Sequence, residues 1–278
     1  MAEGLLDRCE VRRAFDRAAA AYDALAVLQR ELGRRLLERL DPIRLAPATA
    51  LDLGAGTGQL SRGLQRRFPR CRVVALDLSA GMLRQLRRRQ GWWRRARLVQ
   101  ADAQCLPLAP ASLDLVLSGL TLQWCDEPAR VFREVRRVLR PGGLFLFTTF
   151  GPDTLRELRA AWAVVDSRPH VSPFIDMHLL GDALVEAGFQ DTVMDMEMLR
   201  LTYDSPLAMM RDIKGIGAHN ALRDRPRGLT GRRRFEALLR ACEAHRSEGR
   251  LPATYEVVYG HAWAPEPGVR VSLPGPRR

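Results

Sequence analysis

The segment LDLGAGTGQL, residues 51–60, sets Asp52, Gly54, Gly56 and Gly58 at every second position of a turn that follows an apolar run. Glycines in such a turn let backbone amides approach a ligand that a Cβ would keep away. The spacing then selects the ligand. A dinucleotide fingerprint requires G-x-G-x-x-G and a phosphate loop requires Gly-Lys-Ser/Thr, whereas here Gly58 comes one residue early and Gln59 follows it. A group other than a phosphate is expected. Two further acids recur at intervals of 25 residues, Asp77 in ALDLS and Asp102 in QADA. A carboxylate about 20 residues beyond such glycines suits the two hydroxyls of a ribose, which assigns that role to Asp77, with Leu78 beside it. Asp102-Ala103 offers a carboxylate and a backbone amide to the edge of an adenine, and Asp52 faces the end of the ligand that carries a positive group. An adenosine with an ammonium and no phosphate satisfies all three acids, and S-adenosylmethionine is such a ligand.

These residues need strands to carry them. From Thr49 the pattern alternates strand and helix: TALDL, a helix over 58–68, CRVVALD as a strand, a helix from Ser79, then ARLVQAD as a strand ending in Asp102. LDLVLSG, residues 113–119, reads as a fourth strand, with Ser118 near its end as a further cofactor contact. PARVFREVRRVL, residues 128–139, reads as a helix stopped by Pro141-Gly142-Gly143, and LFLFTTF, residues 144–150, as a fifth strand. Strands alternating with helices give an α/β fold with a parallel sheet, whose ligands lie beyond the carboxyl ends of the strands. Before this core, apolar positions at helical spacing over residues 10–40 predict one or two leading helices. After it, Asp153 is expected to cap a helix running to about Val165. A helix over 178–187 ends at Gly188, an alternating stretch covers 192–203, and helices lie near 206–218 and 231–247 before YEVVYGHAW, residues 255–263.

The order (D/E)-x-G-x-G-x-G, an acidic second strand end, a third Asp-apolar pair and a fourth strand followed by P-G-G resembles the class I methyltransferases. The resemblance implies a Rossmann-like, seven-stranded sheet with helices on both faces and a last strand running antiparallel, for which YEVVYGHAW is suited. No N/D-P-P-Y/F/W follows the fourth strand, where the chain reads SGLTLQWC, which argues against methylation of adenine or glutamine amides. A narrower resemblance rests on AFDRAAAAYDALAVLQRE (14–31), LPLA (106–109), LQWC (122–125), RVLRPGG (137–143), FTTFGPDTLRELRAAWAVVD (147–166), RPHVSPFIDMH (168–178), KGIGAHN (214–220), LTGRRR (229–234) and LPATYEVVYGHAWA (251–264). Together these are similar to the malonyl-[acyl-carrier protein] O-methyltransferase family of biotin synthesis, over about Arg13 to Ala264. Ala55 stands where that family often has Cys, and Gly119 where Asn is common.

That resemblance implies methylation of the free carboxylate of a malonyl thioester on acyl carrier protein, or on coenzyme A. A carboxylate with a pKa near 4 is already ionised at neutral pH, so no catalytic acid or base is expected. Alignment and exclusion of water carry the reaction. Tyr22, Gln123, Trp124 and His170 are the expected substrate contacts, with Arg168 or Lys214 supplying positive charge. The expected organisation is one methyltransferase domain over 1–264, with its cofactor core at about 45–150 and substrate-side helices at 10–40 and 151–250, and a disordered tail at 265–278.

The bulk composition sets limits. At 278 residues the chain buries roughly three quarters of its unfolded surface. Neither a signal peptide nor an apolar run of about 18 residues is visible, so a cytoplasmic protein with no membrane partner is expected. Cys9, Cys71, Cys105, Cys125 and Cys242 form no C-x-x-C pair, which predicts reduced thiols and no metal. The net charge of +12 comes from 44 basic residues, all arginine but Lys214. Such a surface suits an acidic partner, and acyl carrier proteins are acidic; biased codon usage produces the same excess. The run Arg84, Arg87, Arg88, Arg89, Arg94, Arg95, Arg97 reads as a solvated helix face and following turn, with only Trp92 and Trp93 to stack on bases, so nucleic acid is not the expected partner. A monomer is expected. The rival readings are a methyltransferase-fold assembly factor for a respiratory complex, which resembles much of the same stretch, and an RNA methyltransferase, for which only the charge speaks.

Overall fold

Pro47 and the glycine turn bracket the apolar run TALDL, which forms β1 (Thr49–Leu53) with Ala50, Leu51 and Leu53 fully buried. The computed structural model describes residues 5–91, 95–218, 220–225, 228, 230–266 and 268. Trp92, Trp93, Arg94, His219 of the KGIGAHN segment and most of the expected tail, 267 and 269–278, lie outside the described residues. β2 (Arg72–Asp77), β3 (Arg97–Gln100), β4 (Leu113–Gly119) and β5 (Leu139–Phe150) join β1 in parallel register. β6 (Gln190–Tyr203) and β7 (Leu251–Trp263) follow, and β7 runs antiparallel to both β5 and β6. The seven strands lie in the order β3-β2-β1-β4-β5-β7-β6. The sheet reverses its winding between β1 and β4, and a crevice opens beyond the carboxyl ends of strands at such a point.

Alternation along the buried strands feeds two cores. Ala50, Leu115 and Leu117 meet α3 (Val27–Glu38), α4 (Gln59–Arg67) and α5 (Ala80–Arg89) through Leu36, Leu64 and Leu86. Leu51, Leu53 and Val116 point the other way, toward α6 (Pro128–Val138) and α8 (Met177–Glu186). There Phe132, Phe145 and Phe147 pack edge-on or tilted with ring centroids 5.0–6.0 Å apart, geometry that adds to the burial of each ring. A third core, with Phe150, Tyr255 and Val257, is roofed by α7 (Arg156–Val165), α9 (Pro206–Gly215) and α10 (Arg232–Glu243) and by Leu28 and Leu32 of α3. Among the described residues no helix is long and apolar enough to cross a membrane, and all five cysteines are free.

Several boundaries differ from the sequence expectation. The leading segment forms three helices, α1 (Arg8–Ala18), α2 (Tyr22–Leu25) and α3, interrupted over 19–21 and again at Ala26, where the chain leaves helical geometry (φ −77°, ψ 53°). Pro141-Gly142-Gly143 does not stop α6, which ends at Val138; these residues form an irregular arm inside β5, with a register shift between Leu113 and Leu115. Asp153 does not cap α7: its amide donates to Glu256 Oε2 at 2.7 Å, and Leu155, at φ +56°, stands at the cap position. β3 ends at Gln100, so Asp102 lies in the loop beyond it. Of the arginine run, Arg84, Arg87, Arg88 and Arg89 occupy α5 and face solvent.

Candidate active site

Gly54, Gly56 and Gly58 all hold left-handed backbone, at φ +75°, +52° and +86°. A Cβ at Gly54 would land 1.9 Å from Thr121 Oγ1, and one at Gly58 2.5 Å from Leu86 Cγ; at Gly56 nothing stands within 4 Å. Two glycines thus admit close packing, and the third keeps the backbone open toward the crevice. The turn is fastened to β2: the Gly54 and Ala55 amides donate to the Leu76 carbonyl at 2.8 and 2.9 Å, and the Gly56 amide donates to Asp77 Oδ2 at 2.8 Å.

Asp52 is fully buried. Its Oδ2 accepts from the Ser61 amide at 2.7 Å and the Ser61 hydroxyl at 2.6 Å, while Oδ1 is buried with no partner. Burial pushes its pKa up to about 6, against the Ser61 hydrogen bonds. Asp77 is half-buried; its Oδ1 accepts from the Ser79 amide at 2.7 Å, and burial likewise raises it to about 6. Asp102 Oδ1 accepts from the Gln104 amide at 2.9 Å, and its Oδ2 pairs with Arg8 of α1 at 2.9 Å. Ala103 is buried beside it.

Two adjoining cavities meet over this turn, and a third joins them at Tyr22 and Leu120. The first, about 610 Å³, is lined by Asp52, Gly54 and Gly56 and by Arg30 and Arg62. The second, about 740 Å³, shares Gly54 and Gly56 and adds Asp77, Leu78, Asp102 and Ala103. The expected cofactor fits this division. The unpartnered buried oxygen of Asp52 suits an ammonium, the guanidinium groups of Arg30 and Arg62 suit a carboxylate, and Asp77 with the Asp102-Ala103 loop suits a ribose and an adenine. Arg30 and Arg62 were not foreseen from the sequence, because nothing in their local pattern separates them from the other arginines. Ser118 is not brought to either cavity: it is fully buried and its hydroxyl donates to the Leu53 carbonyl at 3.0 Å. Its successors Gly119 and Leu120 line the crevice instead.

The third cavity, about 940 Å³, opens between α2, α3 and the roof of α7 and α9. Tyr22, Gln123, Trp124 and His170 all line it. Tyr22 also lines the other two, as does Leu120. Burial and the neighbouring Asp77 push the Tyr22 phenol well above its ordinary pKa, which keeps its proton in place. Gln123 Oε1 accepts from the Thr149 hydroxyl at 3.2 Å, and the Trp124 ring meets Phe15 edge-on at 5.2 Å. His170 stacks on Trp162, 3.5 Å between centroids and 6° between planes, and its Nε2 lies 2.9 Å from Asp166 Oδ1. Burial holds its pKa below the usual imidazole value, with Arg168 adding to the effect. Arg168 and Lys214, the expected cations, are exposed and do not line the cavity. Among its described lining residues there is no arginine, lysine, aspartate or glutamate. Gln29 and Asn220 line it and were also missed, since a single amide side chain carries no distinguishing pattern.

The leading helices close over the turn through two carboxylates. Asp16 Oδ1 accepts from the Ser79 hydroxyl and the Gly81 amide, both at 2.7 Å. Asp23 accepts from the Thr57 hydroxyl and pairs with Arg89.

Comparison with known proteins agrees with this fold. A family model described as a methyltransferase domain matches residues 51–147. The chain is 51% identical over 276 residues, covering 97% of its length and 93% of the relative's, to the malonyl-[acyl-carrier protein] O-methyltransferase of Methylovorus sp. (strain MP688). It is 54% identical over 267 residues, covering 93% and 90%, to the protein of the same name from Laribacter hongkongensis (strain HLHK9). Among solved structures it shares its fold with a SAM-dependent methyltransferase of Thermotoga maritima, at TM-score 0.54 and 17% identity over 91% of this chain and 99% of that one. The Haemonchus contortus phosphoethanolamine N-methyltransferase 2, in complex with S-adenosyl-L-methionine, matches at TM-score 0.55 and 18% identity over 90% of this chain and 57% of that one.

Proposed function

This chain belongs to the malonyl-[acyl-carrier protein] O-methyltransferase family, and from that membership and its site geometry we infer that it methylates the free carboxylate of a malonyl thioester carried on acyl carrier protein. The observation that carries the reading is the third cavity, which meets both cofactor cavities at Tyr22 and Leu120. S-adenosylmethionine, held by Asp52, Asp77 and the Asp102-Ala103 loop with the glycine turn beneath it, supplies an electrophilic methyl group.

The rest is the work of the chain. The malonyl carboxylate is ionised at neutral pH, so no side chain has to remove a proton before attack. Tyr22, Gln123, Trp124 and His170 face the space it enters, and the apolar walls formed by Phe150, Leu155 and Leu158 keep water from competing and strengthen each polar contact within. Alignment of this kind accounts for several kcal/mol of a methyl transfer barrier. The protein acts in the cytoplasm as a monomer, at an early step of biotin synthesis, and its basic surface receives the acidic carrier.

The test is a mass-spectrometric assay of the purified chain with S-adenosylmethionine and malonyl-acyl carrier protein. A gain of one methyl on the malonyl group, lost in Asp77→Ala, supports the reading. Cofactor binding without a methylated product would transfer the case to an assembly factor that uses the same fold.

A further inference from the structure

The third cavity raises a problem of charge, because a carboxylate has to settle where none of the described lining residues is an arginine or a lysine. Two polar side chains sit where that cavity joins the first: Gln29 lines both, and Tyr22 lines all three. They stand on either side of Ala26, which is buried at the break between α2 and α3. We propose that the Tyr22 hydroxyl and the Gln29 amide form a neutral donor pair that orients the malonyl carboxylate toward the cofactor and distinguishes it from its methyl ester. This rests on the malonyl reading above and adds to it the groups that recognise the charge.

Neutral donors suit the chemistry. A bidentate guanidinium sets a full positive charge against both oxygens of a carboxylate, which lowers the nucleophilicity of the oxygen that must attack. One O–H and one N–H occupy no more lone pairs and orient the group without that charge. Each such hydrogen bond to an ion contributes more than one to a neutral oxygen, so the pair favours substrate over product, and the ester leaves once the charge is gone. The Tyr22 hydroxyl serves as a donor because its proton is firmly held. Tyr22 lies beside Asp23, which is fastened to Thr57 and Arg89, and Gln29 beside Arg30, whose carbonyl accepts from the Gln59 side chain, so both donors are tied to the glycine turn and the helix after it.

The experiment compares binding of malonyl-acyl carrier protein with binding of its methyl ester, by calorimetry on the full chain saturated with S-adenosylhomocysteine. It uses the wild type, Gln29→Glu, Gln29→Leu and Tyr22→Phe. Loss of one hydrogen bond to a charged group predicts about a 10- to 100-fold weaker malonyl affinity in Gln29→Leu and Tyr22→Phe, with the ester changed by less than about threefold. Gln29→Glu keeps the shape and adds a like charge, so its malonyl-to-ester ratio should fall furthest. A merely structural role for Gln29 would weaken both ligands together, and an unchanged ratio in the near-isosteric Gln29→Glu overturns the assignment. A wild type that binds but does not methylate malonyl thioesters overturns the reading of the reaction itself; a wild type that methylates them while the ratio is unmoved by all three variants overturns only the donor pair.

Discussion

Asp52 is fully buried with Oδ1 unpartnered, and its pKa of about 6 lies above the value of roughly 4 of an unfolded aspartate. Between those two values the folded chain holds a proton that the unfolded chain has lost. The stability of the cofactor-free protein therefore falls as pH rises through that window, and above about pH 6 the full cost of roughly 3 kcal/mol is present. Asp52→Asn is expected to stabilise the free protein by about 1–3 kcal/mol near pH 7 and by almost nothing near pH 4, as read by urea unfolding at the two pH values. An ammonium ligand reverses the preference, since it requires the ionised carboxylate. Affinity for S-adenosylmethionine should thus drop as pH falls below about 6, where Asp52 and Asp77 take up protons, and Asp52→Asn should flatten that dependence; an equally steep profile in the variant would exclude Asp52 as the titrating group.

Helix placement is set by a few polar contacts and one close packing site. Asp16 joins α1 to the first turn of α5 through Ser79 and Gly81. Asp16→Ala is expected to cost about 1–2 kcal/mol, as cap-like hydrogen bonds do, and to speed dissociation of the cofactor, since the leading helices close over it. Stopped-flow release rates check this, and an unchanged rate would show that α1 does not retain the ligand. On the opposite side of the sheet, a Cβ at Gly260 of β7 would lie 2.1 Å from Phe147 Cζ. Gly260→Ala should therefore destabilise the chain by about 1–3 kcal/mol through overpacking, without altering the malonyl-to-ester discrimination.

Taken whole, the molecule carries a net charge of +12, and steering of an acidic carrier by that field weakens with salt. The KM for malonyl-acyl carrier protein should rise several-fold between about 50 and 300 mM salt, while that for malonyl-pantetheine, which lacks the carrier's charge, should change little. Equal salt dependence of the two would mean that the arginine excess does not serve docking.

The cofactor turn and the strands that carry it were legible in the sequence because they are local: three glycines at fixed spacing, apolar runs of strand length and acids one βα unit apart need no distant partner to be recognised. The antiparallel closing strand and the expected substrate contacts Tyr22, Gln123, Trp124 and His170 are legible only through the longer resemblance, and all four residues line the third cavity. What escaped was whatever depends on how separate elements meet. The end of its strand predicts a place at the rim for Ser118, but its hydroxyl turns inward to Leu53. Arg168 and Lys214 carry the charge that the substrate calls for, yet packing leaves them outside the cavity. Arg30, Arg62 and Gln29 acquired their positions only when α3 and α4 packed against the sheet. Sequence determined the ligand's class, since backbone freedom and carboxylate spacing are written in consecutive residues; tertiary structure decided which side chains face it, because a side chain's direction is fixed by packing against residues far away in the chain.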